Sequence, residues 1–338
     1  MTETPPGEPW LAHYVHPCDW RMELPPLSLP DFFAASVAAH GSRLLVDFMG
    51  RAYSYAQLHA EALRFAAGLQ KLGIARGDRV GLFLPNVPHY VAAYFGASIA
   101  GATLVNFSPL YTAAELAAQV ADSGTRLLVT VDSAALLPTA LKVLDGSALE
   151  KLVVGSLAAQ LPALKGLAMR LLGRKSLTPV PARPDVLRWE AMLADGPPAP
   201  VAIDPLSDLA LLQYTGGTTG TPKGAMLTHQ NITANARQVE AIDPRKGERD
   251  VIMGVLPLFH VFANVCVLNR TVANGGCVAM LPRFDAGQTL KTLQRVRATA
   301  MPGVPTMYQA LLDHPDLAGA VGSGFKSVIL IAHEPCTG

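Results

Sequence analysis

The densest chemical signal in the sequence is the segment Tyr214–Gly224, which holds four glycines, four threonines and Lys223 within eleven residues. Glycine lets backbone N–H groups approach an anion closely, threonine hydroxyls add donors, and Lys223 adds a positive charge. These features predict phosphate-binding chemistry. The predicted phosphate-binding residues are Thr215, Gly216, Gly217, Thr218, Thr219, Gly220, Thr221 and Lys223.

Two well-known nucleotide-binding patterns do not fit this segment. A Walker sequence requires a serine or threonine directly after its lysine, whereas Lys223 is followed by Gly224. The G-x-G-x-x-G pattern of dinucleotide sites is missing here, and the segment lies far from the first predicted strand. A P-loop kinase and a Rossmann dinucleotide site are therefore disfavoured, and a flexible linker is the structural alternative.

A second candidate site residue follows an apolar strand. His260, with Phe259 beside it, comes after the predicted strand Val251–Leu256. Because open α/β sheets bind ligands beyond the carboxyl ends of their strands, this position favours a functional histidine over a structural one. His229, by contrast, lies in a Thr-His-Gln-Asn sequence that predicts the capped start of a helix.

These segments together resemble one family. Tyr214–Gly224 resembles the phosphate-loop signature of the adenylate-forming (AMP-binding) superfamily, which includes acyl-CoA synthetases, luciferases and peptide-synthetase adenylation domains. Leu256–Ala263 resembles the next motif of that family, and Asn106–Thr112 resembles a segment of its long-chain fatty acid ligase branch. Gly77–Val80 with Leu84–Asn86, and Gly303–Thr306, extend the similarity in the family's order.

The resemblance implies an α/β fold of layered, mostly parallel sheets flanked by helices, as in the large N-terminal domain of these enzymes. It also implies a two-step reaction, in which a fatty acid is activated by ATP with Mg²⁺ and then transferred to coenzyme A. Lys223 and His260 take the catalytic positions. The residues that match the family's acyl and substrate positions are Phe259, His260, Val304, Pro305 and Thr306, although Gly303–Tyr308 also fits a plain turn that opens a helix.

The resemblance further implies that this is an N-terminal portion of such an enzyme, without its small C-terminal domain. Residues 331–338 depart from the family pattern, and the expected magnesium-holding Thr-Glu pair, ribose-binding Asp and C-terminal catalytic lysine are missing. We therefore expect little thioester formation by this polypeptide alone. Two alternatives remain open, namely a non-catalytic relic that binds nucleotide or acyl chains, and a ligase that loads a carrier protein.

The elements that must position these residues follow from apolar runs separated by helix-length segments, an alternation that indicates βαβ units. A hairpin is predicted over 43–55, and a helix with a capping box at Ser54 and Gln57 follows it and ends at Gly73. The predicted buried strands are Arg79–Leu84, Thr103–Phe107, Thr125–Val131, Lys151–Val154, Leu209–Tyr214 and Val251–Leu256.

The chain is predicted to contain a proline-rich arm over 1–30 and one domain over 31–338, with a surface excursion over about 157–205. Within the excursion, the apolar residues Leu161, Leu164, Leu167, Ala168, Leu171 and Leu172 share a helical face, while Lys165, Arg170, Arg174 and Lys175 supply positive charge. This pattern predicts weak peripheral membrane contact through 161–175, and a core-packed helix is the alternative.

Composition excludes several classes of protein. With 338 residues, 50% hydrophobic and only 16% charged, the chain is folded rather than disordered. The 27 basic and 26 acidic residues include no basic run, so no nucleic-acid partner is expected.

Four cysteines without a Cys-x-x-Cys pair, and an N-terminus unlike a signal peptide, predict a cytoplasmic location, with the inner membrane face as the peripheral alternative. The uncharged stretch 80–114 is predicted as buried strand, helix and strand rather than a membrane span.

Overall fold

The computed structural model of the protein describes residues 8–215, 222–243 and 249–317. These residues form eleven strands, which are β1 (Leu44–Phe48), β2 (Arg51–Ser54), β3 (Arg79–Leu82), β4 (Thr103–Asn106), β5 (Thr125–Val131), β6 (Lys151–Gly155), β7 (Val186–Arg188), β8 (Leu209–Thr215), β9 (Lys223–Thr228), β10 (Val251–Gly254) and β11 (Cys277–Met280). Every strand predicted from an apolar run is present.

The same residues form the helices α1 (Leu29–His40), α2 (Tyr55–Lys71), α3 (Pro88–Ile99), α4 (Ala113–Ser123), α5 (Leu137–Gly146), α6 (Leu157–Gln160), α7 (Ala163–Leu172), α8 (Trp189–Met192), α9 (His229–Ala241), α10 (Val261–Ala263), α11 (Arg270–Asn274), α12 (Ala286–Val296) and α13 (Pro305–Leu312). A π-helical segment, Asn264–Asn269, joins α10 to α11. Short 3₁₀ turns occur at Pro9–His13 and Arg174–Ser176.

The larger sheet has the strand order β7-β6-β5-β3-β4-β8-β9 among the described residues. Its neighbours are parallel except for β8 and β9, which form an antiparallel hairpin. Strands β3 to β6 are almost fully buried, as expected when helices cover both faces of a parallel sheet. The predicted α/β fold of mostly parallel strands is confirmed.

The smaller sheet has the order β10-β11-β1-β2. The predicted hairpin supplies β1 and β2, while β1, β11 and β10 run parallel to one another. Ala300 extends this parallel arrangement beside Ile252 of β10. The carboxyl ends of β1, β11 and β10 therefore meet at one edge of the sheet.

Helices α2 and α3 form the centre of the core. The capping box predicted at Ser54 and Gln57 begins α2, and Gly73 follows it with a left-handed φ of 76°. Helix α3 is buried along nearly its whole length, and a Cβ at Gly96 would lie 2.7 Å from the carbonyl oxygen of Ala62 on α2. Glycine at this position allows the two helices to pack closely.

The segment 157–205 is not a surface excursion along its whole length, contrary to the prediction. Strand β7 pairs with β6 and extends the larger sheet. Trp189 on α8 is buried, stacks on Phe65 with ring centroids 4.7 Å apart, and donates from its indole nitrogen to Glu61 at 2.6 Å. Strand β7 has three residues and α8 has four, so neither gives an apolar pattern long enough to be recognised in this proline-rich sequence.

The uncharged stretch 80–114 forms β3, α3 and β4, as predicted. Across the described residues, no helix is both long enough and apolar enough to traverse a lipid bilayer. The cysteines in the described ranges, Cys18, Cys266 and Cys277, are free thiols, and burial raises the pKa of the Cys277 thiol to about 12.

The chain before and at the start of the first helix is attached to α9, the helix that follows the β8–β9 hairpin. Helix α9 begins with the predicted cap at Thr228, and His229 is buried and accepts a hydrogen bond at Nδ1 from the backbone N–H of Leu29 at 3.2 Å. Gln230 accepts from the N–H of Leu27 at 2.9 Å and donates to the carbonyl of Leu24 at 2.8 Å. Residues 24–29 are therefore held along the start of α9.

We expect His229 to make the stability of the fold depend on pH. Burial lowers the pKa of His229 to about 4 from an ordinary value of 6.5, so the unfolded chain takes up this proton first as the pH falls. The contribution of His229 is complete above about pH 6.5 and is lost as the pH falls towards 4. Between about pH 7.5 and pH 5 the free energy of unfolding, measured in urea, should fall by about 2 kcal/mol through this group.

The matched variant is His229→Asn, because its side-chain oxygen can accept from the N–H of Leu29 but does not titrate. Its free energy of unfolding should fall by about 2 kcal/mol less than that of the wild type over the same range. Equal pH dependence in the two proteins would contradict the prediction.

Candidate active site

The predicted phosphate-binding segment begins at the carboxyl end of β8. Strands β3, β4 and β8 are parallel neighbours, so their carboxyl ends lie at the same edge of the larger sheet. At this edge, the segment Phe83–His89 follows β3, while β4 ends at Asn106 and β8 ends at Thr215. This is the edge at which open parallel sheets bind ligands.

The β8–β9 hairpin fixes the two ends of the glycine-rich segment. Thr215 is directly opposite Lys223, and Tyr214 is opposite Gly224. Lys223 begins β9 with an exposed side chain, so its ammonium group lies at the same end of the hairpin as the Thr215 hydroxyl. Residues 216–221, which carry the other predicted phosphate donors, lie outside the described residues.

Tyr214 attaches this hairpin to helix α4. Its side chain is mostly buried, and its hydroxyl donates to the carboxylate of Asp122 on α4. Burial and the neighbouring carboxylate raise the pKa of Tyr214 well above its usual range, so the phenol keeps its proton. The residue that precedes Thr215 is therefore fixed to the helical layer.

The loop that carries His260 is held by Asn86, which lies in the loop after β3 of the larger sheet. Asn86 is buried just after β3, and its amide donates to the carbonyls of Gly254 at 3.3 Å and Leu256 at 2.8 Å. Its side-chain oxygen accepts from the N–H of Leu258 at 2.8 Å. One amide thus fastens the carboxyl end of β10 to the carboxyl end of β3.

Tyr90 makes a second connection between the two sheets. Its hydroxyl lies 2.8 Å from the carbonyl of Leu258 and 2.9 Å from Oδ1 of Asn106, so its one proton can go to either acceptor. Asn106 in turn donates to Oε1 of Gln213 at 3.3 Å. A continuous buried polar path therefore runs from β8, just before Tyr214, to the loop before His260.

The π-helical segment beyond His260 joins the same path. Asn264 is fully buried, donates to the Tyr90 hydroxyl at 3.3 Å, and receives at its side-chain oxygen a bond from Tyr94 at 3.2 Å. Asn269 donates to both the Asn264 backbone and side-chain oxygens at 2.9 Å. Because π-helical turns occur frequently at functional sites, this segment supports a functional role for the adjoining loop.

His260 itself lies at the start of α10, where its side chain is exposed. Its Nδ1 accepts from the N–H of Phe262 at 3.3 Å, which places the proton of the neutral ring on Nε2. The N–H of Asn264 binds the His260 carbonyl at 2.9 Å. Phe259 beside it is half-buried. The structure therefore presents an imidazole and an aromatic ring together beyond β10.

The predicted acyl-site residues Val304, Pro305 and Thr306 lie at the same edge of the smaller sheet. The chain runs parallel to β10 at Ala300, and the start of α13 follows at its carboxyl end. Val304 is half-buried, whereas Pro305 and Thr306 are exposed in the first turn. The helix expected as the alternative is present, and it coexists with the candidate site position.

Sequence reasoning did not assign a role to Asn86, Tyr90, Gln213 or Asn264. Asn86 and Asn106 were noted only within segments that resemble family motifs. For Asn106 and Gln213, the signal is an amide side chain within a buried and otherwise mostly apolar strand, where an unpaired amide would be costly. Their partners, however, are distant in sequence.

A family comparison now bears on this geometry. The family model described as AMP-binding enzyme matches residues 33–337. The chain belongs to the AMP-binding enzyme family. The match confirms the resemblance read from Tyr214–Gly224, and it extends into residues 331–338, which were expected to depart from the family pattern.

Curated relatives of this AMP-binding chain include two long-chain-fatty-acid–CoA ligases. The protein of Bacillus subtilis (strain 168) is 34% identical over 328 residues, which cover 95% of this chain and 58% of that protein. The protein of Escherichia coli O6:H1 is 36% identical over 322 residues, which cover 91% of this chain and 56% of that protein. The chain therefore spans a little more than half the length of these relatives.

Solved structures agree on the fold. A long-chain-fatty-acid–CoA ligase of Archaeoglobus fulgidus superposes with a TM-score of 0.70 at 25% identity, covering 86% of this chain and 54% of that one. The inhibitor-bound N-terminal domain of FACL13 from Mycobacterium tuberculosis gives a TM-score of 0.69 at 24% identity, covering 90% and 69%. The layered architecture is thus that of AMP-binding enzymes.

The described residues contain no group of three or more His, Cys, Asp or Glu side chains arranged to hold a metal ion. We therefore assign no side chain of these ranges as a Mg²⁺ ligand.

We expect Asn86→Ala to destabilise the protein by about 2–4 kcal/mol, because it leaves the buried N–H of Leu258 and the buried carbonyl of Leu256 without this partner, whereas the carbonyl of Gly254 keeps the bond from the N–H of Leu281. The measurement is the free energy of unfolding in urea at neutral pH. The control is Gln309→Ala, which removes an exposed amide that donates to Asp313 at 2.9 Å and should change stability by at most about 0.5 kcal/mol. A loss for Asn86→Ala as small as that of the control would show that this amide does not hold the two sheets together.

Proposed function

We propose that this chain carries the acid-activating site of an ATP-dependent ligase that converts medium- or long-chain fatty acids to their coenzyme A thioesters. The observation that carries the proposal is the position of Tyr214–Gly224. This phosphate-type sequence begins at the carboxyl edge of β8 in a chain 34% and 36% identical to two long-chain-fatty-acid–CoA ligases.

In the first step a carboxylate oxygen attacks the α-phosphorus of ATP, the bond from that phosphorus to the α,β-bridging oxygen breaks, and pyrophosphate leaves with that oxygen. The leaving group gathers negative charge as this bond breaks. Lys223, exposed at the start of β9 opposite Thr215, supplies a positive charge where the glycine-rich segment returns to the sheet. We assign Lys223, together with the hydroxyl of Thr215 and the donors of 216–221, to stabilising that charge.

The acyl side of the site is assigned to the edge of the smaller sheet. His260 and Phe259 follow β10, and Val304, Pro305 and Thr306 follow the neighbouring parallel segment. A mostly apolar wall suits a hydrocarbon chain better than a charged head group. His260, with the proton of its neutral ring on Nε2, can donate a hydrogen bond to an oxygen of the acid or its adenylate.

In the second step the coenzyme A thiolate attacks the acyl carbon, and AMP leaves. We assign no residue of this chain to that step. The proposed organisation keeps 1–30 as an arm and 31–338 as the nucleotide- and acid-binding domain. Magnesium enters this proposal with ATP, as its counter-ion.

The test is ATP–pyrophosphate exchange with a panel of acids of increasing chain length, preceded by the intact mass of the protein from its native cell. We expect exchange to depend on medium- or long-chain acids. Lys223→Gln should lower the exchange rate by roughly two to three orders of magnitude, because charge on the leaving pyrophosphate loses its cation.

The control for this experiment is Lys142→Gln, which removes an exposed lysine from α5, away from the carboxyl edge of β8. It should leave exchange unchanged. Exchange that survives Lys223→Gln would overturn the phosphate assignment, and a protein that binds nucleotide but exchanges with no acid would be a non-catalytic relic. If the thioester formed on a carrier protein instead of coenzyme A, only the proposed acceptor would be wrong, and the acid-activating step would stand.

Val304→Trp should shift the preferred acid towards shorter chains, because an indole in place of an isopropyl group fills space at the carboxyl edge of β10. The measurement is the ratio of exchange rates for long and short acids. The matched control is Val296→Trp at the end of α12, which precedes the segment parallel to β10 and so lies towards its opposite end. An unchanged chain-length ratio in Val304→Trp, with normal unfolding temperature, would remove Val304 from the acyl wall.

A further inference from the structure

Helix α7 exposes an apolar stripe. Leu164, Leu167, Leu171 and Leu172 are 84%, 55%, 57% and 88% exposed. Leu161, which the sequence placed on the same face, is buried and precedes the helix. Four exposed leucines on one ten-residue helix exceed the scattered apolar residues normal on a protein surface.

The helix contacts the protein through its opposite side. Gly166 is buried, and a Cβ there would collide with the carbonyl oxygen of Ala158; Met169 packs half-buried against the core. At 100° per residue, these two positions lie about 140–200° around the helix from Leu164. The leucine stripe therefore points directly away from the protein, and the core-packed alternative does not account for it.

Positive charge borders the stripe on both sides. Lys165 and Arg170 lie between the leucines and the buried side, at about 100° and 240° from Leu164. The stretch 157–180, which includes α7, contains no Asp or Glu but has four basic residues, which are Lys165, Arg170, Arg174 and Lys175. A helix that lies in a membrane interface has this arrangement, with an apolar face outermost and basic residues along the edges of that face.

We propose that α7 docks this protein on an anionic lipid surface, with its leucine stripe inserted between the acyl chains and Lys165, Arg170 and Lys175 near the lipid phosphates. A second copy of the chain fits less well. In a twofold dimer each stripe would meet its equal, and the basic borders of the two helices would face each other.

The helix lies at the same sheet edge as the proposed acyl wall. The ammonium of Lys165 donates to the carbonyl of Met49 at 2.8 Å, and Met49 follows β1 at its carboxyl end. Because β1, β11 and β10 are parallel, that end is shared with the loop of His260. Entry of acids from the bilayer on this side rests on the proposed function, whereas the lipid contact does not.

The test is flotation of the 338-residue protein with phosphatidylcholine vesicles that are either pure or rich in phosphatidylglycerol. We expect binding to the anionic vesicles, weakened by high salt. Leu164→Gln/Leu172→Gln should lower the vesicle partition coefficient roughly tenfold or more, since two leucine side chains lose their apolar burial. Arg170→Gln/Lys175→Gln should lower it by a similar factor on anionic vesicles.

The controls replace the same residue types elsewhere: Leu110→Gln/Leu206→Gln, whose leucines are 88% and 60% exposed, and Lys142→Gln/Lys291→Gln. Both should float like the wild type. Wild-type protein that does not float with anionic vesicles, or flotation unchanged by Leu164→Gln/Leu172→Gln, would overturn the proposal. A dimer in light scattering that this variant dissociates, without flotation, would assign the stripe to a second copy. None of these results depends on ligase activity.

Discussion

Two parallel sheets can build one site only where their carboxyl ends are held together, and here buried side-chain amides and phenols hold them. Asn86 lies in the loop after β3 of the larger sheet and binds three backbone groups at and beyond the end of β10 of the smaller one. Tyr90 adds a bond to the same loop. These groups are buried, so the loss of one partner leaves the other unsatisfied, and the geometry of the bonds fixes how the two edges are aligned.

This junction also explains how separate motifs act at a common place. The polar path ends next to Tyr214 on one side and at Leu258 on the other, so the hairpin of Lys223 and the loop of His260 are fastened to one buried network. The two reactants of the proposed reaction have opposite solvation, since ATP is highly charged and a fatty acid is mostly hydrocarbon. In the proposed function the two sheets would serve them separately, with the phosphate-binding segment after β8 and the acyl site beside β10.

The elements that the sequence predicted are those with local signals. Buried parallel strands are continuous apolar runs, and capping boxes are read over four residues, so β3 to β6 and the start of α2 could be predicted. Strand β9 is largely exposed and β7 has three residues, so neither leaves an apolar run. Their strand character comes from neighbours in the folded sheet rather than from their own residues.

The candidate site divides in the same way. Lys223 and His260 lie in segments that a reader can recognise from types and spacing. Asn86 could not be assigned because the carbonyl of Leu256 and the N–H of Leu258 are 170 and 172 residues away. The two sheets must already be packed for this amide to have a role, and periodicity carries no information on that packing.

Helix α7 is a second case in which the sequence predicts an element but not its surroundings. Its periodicity predicts an amphipathic helix, yet an apolar face inferred from sequence is normally assigned to the core. The structure reverses this assignment through Gly166, because only a residue without a side chain allows the side of the helix opposite the leucines to approach the backbone at Ala158 so closely. A leucine face turned outward gains nothing from folding. The lipid contact proposed for α7 would bury this face, and its basic border would favour an anionic surface.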